Sequence, residues 1–149
     1  MNLRQARTTE PSDLSALCLR SKAHWGYDEE CMTACRAELT LGPNDLDENL
    51  LRIAEHRGAP IGVAQISLQD DSAELEKLFV EPDHIGGGVG RALFDWAAQA
   101  ARSASAGHMN IKSDPAAAAF YRRMGPHDAG TTPSTAIPGR DLPRLILKL

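Results

Sequence analysis

Residues 84–94 read HIGGGVGRALF, with four glycines inside five positions, Gly86, Gly87, Gly88 and Gly90. An apolar run, LEKLFVEP, precedes them, and Ala92, Leu93, Trp96, Ala97 and Ala100 follow at helical spacing. The pattern predicts a strand, a tight turn and a helix. Without side-chain bulk, the N–H groups of such a turn can converge on an anion, and the helix N-terminus adds partial positive charge. A phosphate is therefore the group this turn can hold, the plain alternative being a flexible turn with no ligand. Two familiar phosphate loops fail by letter. The dinucleotide fingerprint laid on Gly86 and Gly88 needs glycine at Arg91, and the P-loop needs Lys then Ser or Thr where the chain has Arg91-Ala92.

The rest of the chain sets the turn in a fold. Leu3 to Thr8 can form a short strand, and Glu10-Pro11-Ser12-Asp13 starts a helix carrying Leu14, Leu17 and Cys18. That pattern breaks at Ser21–Tyr27, Asp28 caps a second helix carrying Met32, Cys35 and Leu39, and Gly42-Pro43-Asn44-Asp45 reads as a polar loop. Leu50–His56, Ile61–Leu68 and Glu74–Val80, punctuated at Arg57–Pro60 and Asp70-Asp71, predict an antiparallel meander. After the glycine turn and its helix come a short strand, Met109–Lys112, and a helix opened by Asp114-Pro115 and stopped by Gly125-Pro126. A loop-rich tail then leads to a last strand, Leu145–Leu149. The order β-α-α-β-β-β-α-β-α-β predicts an α+β (mixed α/β) fold rather than a regular doubly wound one. At 149 residues and 42% hydrophobic, one domain over 1–149 is the expectation.

Charge narrows the partners. Sixteen Lys and Arg against 20 Asp and Glu give a formal charge of -4, so no global positive field attracts nucleic acid or an anionic membrane. No basic aromatic platform for a nucleic acid occurs either. The N-terminus has no apolar targeting segment, and no apolar run is long enough to span a bilayer, which predicts a cytoplasmic protein. Cys18, Cys31 and Cys35 read as reduced thiols, Cys31 and Cys35 spaced to share a helix face. The five histidines are scattered, so no metal site is expected.

The run LEKLFVEPDHIGGGVGRALFDWAAQAA resembles motif A of the GNAT superfamily of acyl-CoA-dependent N-acetyltransferases, L-x-V-x-P, then Q/R-x-x-G-x-G/A, then a helix. The pattern falls on Leu78, Val80 and Pro82, then Ile85, Gly88 and Gly90, with Ile85 where the family often has Gln or Arg. Asp114-Pro115-Ala116-Ala117-Ala118-Ala119-Phe120-Tyr121-Arg122-Arg123-Met124-Gly125 is similar to the family's N-x-x-A-x-x-F-Y-x-x-x-G helix, with Asp114 replacing Asn. With the meander and two early helices, the resemblance spans essentially the whole chain. It implies a central mixed, mostly antiparallel sheet flanked by helices, as in small single-domain bacterial members. It also implies acetyl-CoA as co-substrate, its pantetheine arm along Leu78, Phe79 and Val80. The diphosphate would lie on the N–H groups of Gly86, Gly87, Gly88, Gly90 and Arg91, with Ile85, Val89, Asp114, Ala117 and Phe120 completing the cofactor site.

Acetylating an amine by a thioester needs a neutral amine, a polarised carbonyl and a proton for the departing thiolate. Tyr121 occupies the family's general-acid position. Glu74 and Glu76, on the strand beside the thioester, are candidate bases, and His24 is a third; a solvated carboxylate or a structural histidine fits each as well. Ser21–Asp28 lies where proteins of this fold line the acceptor pocket. Together with Pro138–Pro143 it resembles a signature of a subset of small bacterial GNAT proteins, without naming a substrate. Trp25 and Tyr27 could wall an apolar or cationic acceptor and Arg140 could pair with a carboxylate. The expected function is transfer of acetyl from acetyl-CoA to a primary amine of a small molecule or peptide, by direct attack in a ternary complex. All three cysteines are expected away from the thioester strand, so no acyl-enzyme is expected. The alternative is a non-catalytic acyl-CoA-binding or sensing module. Dimers are common among proteins of this resemblance, and the apolar last strand LILKL could pair across a homodimer interface.

Overall fold

A computed structural model describes residues 1–149. Seven strands form one sheet in the order β1-β2-β3-β4-β5-β7-β6. They are β1 (Asn2–Arg4), β2 (Leu50–His56), β3 (Ala59–Leu68), β4 (Ser72–Val80), β5 (His108–Lys112), β6 (His127–Pro133) and β7 (Asp141–Lys148). All neighbours are antiparallel except β4 and β5, which run parallel. The fold is thus the mixed, mostly antiparallel sheet that the sequence predicts. No helix is long and apolar enough to cross a membrane.

Three helices precede β2. The first, α1 (Pro11–Ala23), starts on a proline, whose missing N–H costs nothing there. Its approach is fixed by Arg4, whose guanidinium bonds both carboxylate oxygens of Glu10 at 2.8 and 2.7 Å and Glu55 at 2.6 Å. The second, α2 (Glu29–Leu39), is capped as expected: the Asp28 carboxylate accepts the Cys31 N–H at 2.8 Å. The stretch read as a polar loop instead contains α3 (Pro43–Glu48). Gly42-Pro43-Asn44-Asp45 are turn formers, but proline at the first helical position with aspartate two later also starts a helix, and Asp45 Oδ2 accepts the Gly42 N–H at 2.7 Å.

Other boundaries shift. The first strand stops at Arg4, and α1 continues through Ser21 to Ala23. The tail read as loop holds β6, whose HDAGTTP sequence lacks the apolar alternation that announces a strand but pairs with β7 through backbone groups. Because β7 lies between β5 and β6, Leu145 and Ile146 of the LILKL segment are paired on both edges, while Leu147 and Lys148 pair with β5 alone.

The core divides by sheet face. On one face Leu14, Leu17 and Cys18 of α1 and Cys35 and Leu39 of α2 meet Leu51, Ile53 and Val63. On the other, α4 (Val89–Ser103) packs Phe94, Ala97 and Ala101 on Ile66, Leu75, Met109 and Ile111, with Tyr121 of α5 (Ala118–Met124). The N-terminal turn of α4 sits closest, because Gly62 of β3 lies beneath it. A Cβ on Gly62 would stand 2.8 Å from Leu93 Cδ1 and 2.9 Å from Val89 Cγ1. Gly62→Val should therefore overpack this contact, costing about 1–3 kcal/mol and lowering Tm by roughly 3–10 °C in a chain of this size. A differential scanning measurement with unchanged Tm would show that α4 does not depend on the close approach.

Candidate functional site

The site begins where two strands part. β4 pairs with β5 only from Ser72 opposite His108 to Leu75 opposite Ile111. At that point β4 carries a bulge, since Gln65 pairs with Lys77 and Ile66 with Leu75, leaving Glu76 unmatched. A bulge bends and twists its strand, and beyond it Leu78, Phe79 and Val80 have β3 on one side and no β5 on the other. An unpaired strand edge presents backbone donors and acceptors. Ser21 of α1 reaches this edge, its Oγ accepting the Val80 N–H at 3.3 Å.

At the end of the bent strand comes the glycine turn. Gly86 and Gly88 adopt φ of +87° and +89°, a left-handed backbone that glycine enters without strain. Gly88 is the N-cap of α4, and the first intrahelical bond runs from the Ala92 N–H to the Gly88 carbonyl at 3.1 Å. The N–H groups of Gly86, Gly88, Gly90 and Arg91 find no backbone acceptor. Gly87 differs from expectation, for its N–H donates to the His84 carbonyl at 3.3 Å and closes the turn. A Cβ on Gly86 or Gly88 would meet nothing within 4 Å, so the turn faces open space. Unpaired amides at a helix N-terminus, with the exposed Arg91 beside them, fit a diphosphate.

A cavity of about 770 Å³ runs from this turn past the free edge of β4 to the α1–α2 side of the sheet. It is lined by Leu78, Phe79, Val80, Ile85, Gly86, Gly88, Gly90, Arg91, Asp114, Ala117 and Phe120 of the expected cofactor site. Glu76, Tyr121, Trp25 and Arg140 also line it. Five expected residues do not. Gly87 belongs to the turn, and Val89 is buried under α4. Glu74 faces Lys112 at 3.7 Å, while His24 is exposed and edge-on to Trp25 with ring centroids 5.2 Å apart. Tyr27 lies behind the wall, its ring near the Lys22 ammonium at 4.7 Å and the Arg140 guanidinium at 5.0 Å.

Tyr27 is instead the centre of a latch joining three loops. Its hydroxyl donates to Asp114 Oδ2 at 2.5 Å and accepts from Arg140 at 2.6 Å, and Lys22 reaches the same carboxylate oxygen at 3.2 Å. Burial would raise the Asp114 pKa, but the Tyr27 hydroxyl, the Ala116 N–H and the Lys22 ammonium outweigh it and hold the carboxyl below its ordinary value. The aspartate standing where the resembling helix has asparagine thus anchors charges from α1 and the β6–β7 connection.

Tyr121 is only 7% exposed, its ring against Phe94 and Phe120 at centroid distances of 6.1 and 5.3 Å. Burial first, and the Asp114 charge second, push its hydroxyl pKa up, so it is protonated at neutral pH. Glu76 accepts the Ser67 hydroxyl at 2.7 Å. Cys35, expected away from the thioester strand, lines the cavity from α2, whereas burial pushes the Cys18 thiol up to about 12. Ser21 and Lys22, within the Ser21–Asp28 stretch expected at the acceptor pocket, line the cavity, and among the residues the sequence reading missed are Lys77 and Glu38. Only Lys77 left a trace in sequence: a lysine two positions before Phe79 shares its strand face, an inward place for a charge.

A sheet whose parallel pair splays above a glycine-capped helix N-terminus defines the GNAT fold. A family described as an acetyltransferase (GNAT) domain matches residues 47–125, more than half of the chain, and the chain belongs to that family. Solved structures agree in fold. The PaiA N-acetyltransferase from Thermoplasma acidophilum in complex with coenzyme A is 16% identical, with a TM-score of 0.84 over 99% of this chain and 98% of that one. A GCN5-related N-acetyltransferase from Rhodopseudomonas palustris is 24% identical, with a TM-score of 0.80 over 99% and 95%. A ribosomal-protein-alanine N-acetyltransferase from Brucella melitensis is 22% identical, with a TM-score of 0.72 over the full length of both. Comparison with curated protein sequences gives no match.

The latch carries a pH signature. Because the folded pKa of Asp114 is depressed, its stabilisation is present above the ordinary aspartate value near 4 and is lost as pH falls through the folded value. Asp114→Asn should lower Tm at pH 7, and the gap from wild type should close as pH drops below about 4. A gap constant from pH 7 to 3 would show that the carboxylate charge plays no part.

Proposed function

We propose that the chain is an acetyl-CoA-dependent N-acetyltransferase in which the primary amine of a small molecule or peptide attacks directly in a ternary complex. The observation that carries this reading is the continuity of the site: unpaired amides at the start of α4, an unpaired strand edge and a protonated buried tyrosine line one cavity. Acetyl-CoA supplies the acetyl group as a thioester, whose transfer leaves a thiol. The amides of Gly86, Gly88, Gly90 and Arg91 hold its diphosphate, and the edge of Leu78–Val80 orients its amide-rich arm. Once Ser21 yields the Val80 N–H, that donor also serves the arm. Tyr121 supplies the proton for the sulfur, a role its raised pKa suits because the hydroxyl keeps its proton until a thiolate develops beside it. Glu76 is the carboxylate candidate that lines the cavity, and it takes the proton from the amine directly or through water.

Tyr121→Phe should lower kcat by about 100-fold or more with little change in acetyl-CoA affinity, the range for losing a general acid. An unchanged kcat would remove the acid role. Binding of acetyl-CoA without turnover across a broad amine panel would favour the sensing alternative. Direct attack is checked at Cys35, the thiol that lines the cavity. Cys35→Ser should retain activity, and wild type mixed with acetyl-CoA alone should show no acetyl adduct by mass spectrometry. An adduct lost with Cys35 would establish a covalent route.

A further inference from the structure

Every charged side chain that lines the cavity and is withdrawn from solvent has a partner within the chain, with one exception. Lys22 bonds Asp114, Arg140 bonds Tyr27, and Lys112 faces Glu74. Glu76 accepts from Ser67 and Glu38 from Thr135. Lys77 lines the same cavity, is only 9% exposed, and forms neither an ion pair nor a hydrogen bond through its ammonium. Asp45 feels its charge, but the oxygens of that carboxylate are taken by the Gly42 N–H at 2.7 Å and Gln65 Nε2 at 2.9 Å. Withdrawing a lysine this far from water with no ion pair or hydrogen bond of its own is costly, and such groups persist where a ligand supplies the partner.

The strand decides which ligand meets it. Lys77 adjoins Leu78 and shares the sheet face of Phe79, which packs toward α1 and α2. Anions at the glycine turn have their own cation in the exposed Arg91, so Lys77 is not needed for the diphosphate. An amine reaching the thioester beside Leu78 extends its remaining atoms into the α1–α2 half, over Lys77. We propose that Lys77 is the specificity-determining residue of the acceptor pocket and that the acetylated amine carries a carboxylate, as a free amino acid does. This rests on the acetyltransferase reading above. The carboxylate makes and breaks no bond: the amine nitrogen gains the acetyl group and loses a proton, and the thiol leaves.

The test compares free amino acids with the matching amino-acid amides, which differ only in the carboxylate, using wild type, Lys77→Met, Lys77→Gln and Lys77→Arg. Each variant's Tm and acetyl-CoA affinity are measured alongside. Wild type should prefer the acids. Lys77→Met and Lys77→Gln should lose about 30-fold more kcat/KM on acids than on amides, chiefly in KM, with Lys77→Arg recovering part of it. Equal losses on both series would show Lys77 to be structural, its ammonium satisfied by the unpartnered Oε1 of Gln65 across the bulge, and would overturn the proposal. A wild type that binds acetyl-CoA and acetylates amides better than acids, or acetylates neither series, also overturns it while leaving the family's cofactor reading intact. A folded wild type that binds no acetyl-CoA overturns both.

Discussion

The parting of β4 from β5 is the constraint on which the rest depends. Four residue pairs hold the two strands together, and the bulge at Glu76 then turns β4 away. Had they stayed paired, Leu78–Val80 would be an ordinary interior ladder with no free amides and no cavity. The chain must close the gap elsewhere. It places α5 and its preceding turn against the far wall through Phe120 and Tyr121, and brings α1 across so that Ser21 meets the edge. Gly62 then lets α4 sit low on β3, bringing the positive end of the helix to the mouth of the same gap.

Charge is distributed along this cavity in two regimes. At the glycine turn the donors are backbone amides, whose positions are fixed by the helix and which carry no desolvated full charge. At the α1–α2 end the groups are full charges, most of them held by ion pairs or hydrogen bonds within the chain through the Tyr27 latch, Glu74 and Ser67. The latch joins segments separated by more than a hundred positions, Tyr27 to Arg140, so the acceptor wall is built only when the whole chain is folded.

Much of this was legible in the sequence for local reasons. The strand, glycine turn and helix of residues 75–103 carry their own periodicity and breakers, and Asp28 and Gly125 mark helix ends by chemistry that acts within one turn of the backbone. What was not legible depends on pairing or on distance. β6 is a strand because β7 lies beside it, and α3 was hidden because glycine, proline, asparagine and aspartate form both loops and helix starts. The same limit governed the site. The residues expected at the cofactor come from contiguous motifs, and all but Gly87 and Val89 line the one cavity. The acceptor half comes from α1, α2, β4 and the β6–β7 connection, so Glu74, His24 and Tyr27 fell outside the cavity while Lys77, Cys35 and Glu38 fell inside. Alternation gave Glu74 and Glu76 a common face, but the bulge between them and the paired edge gave them different partners.

The central claim is that the unpaired amides at the start of α4 hold the diphosphate of acetyl-CoA. Isothermal titration of the wild type, Gly88→Glu and Gly88→Asn with acetyl-CoA tests it most directly. Asparagine tolerates the left-handed backbone without adding charge, so it separates strain from repulsion. The account predicts binding by the wild type, weaker binding by Gly88→Asn and none by Gly88→Glu, with all three proteins folded. No binding by the folded wild type, or undiminished binding by Gly88→Glu, would contradict it.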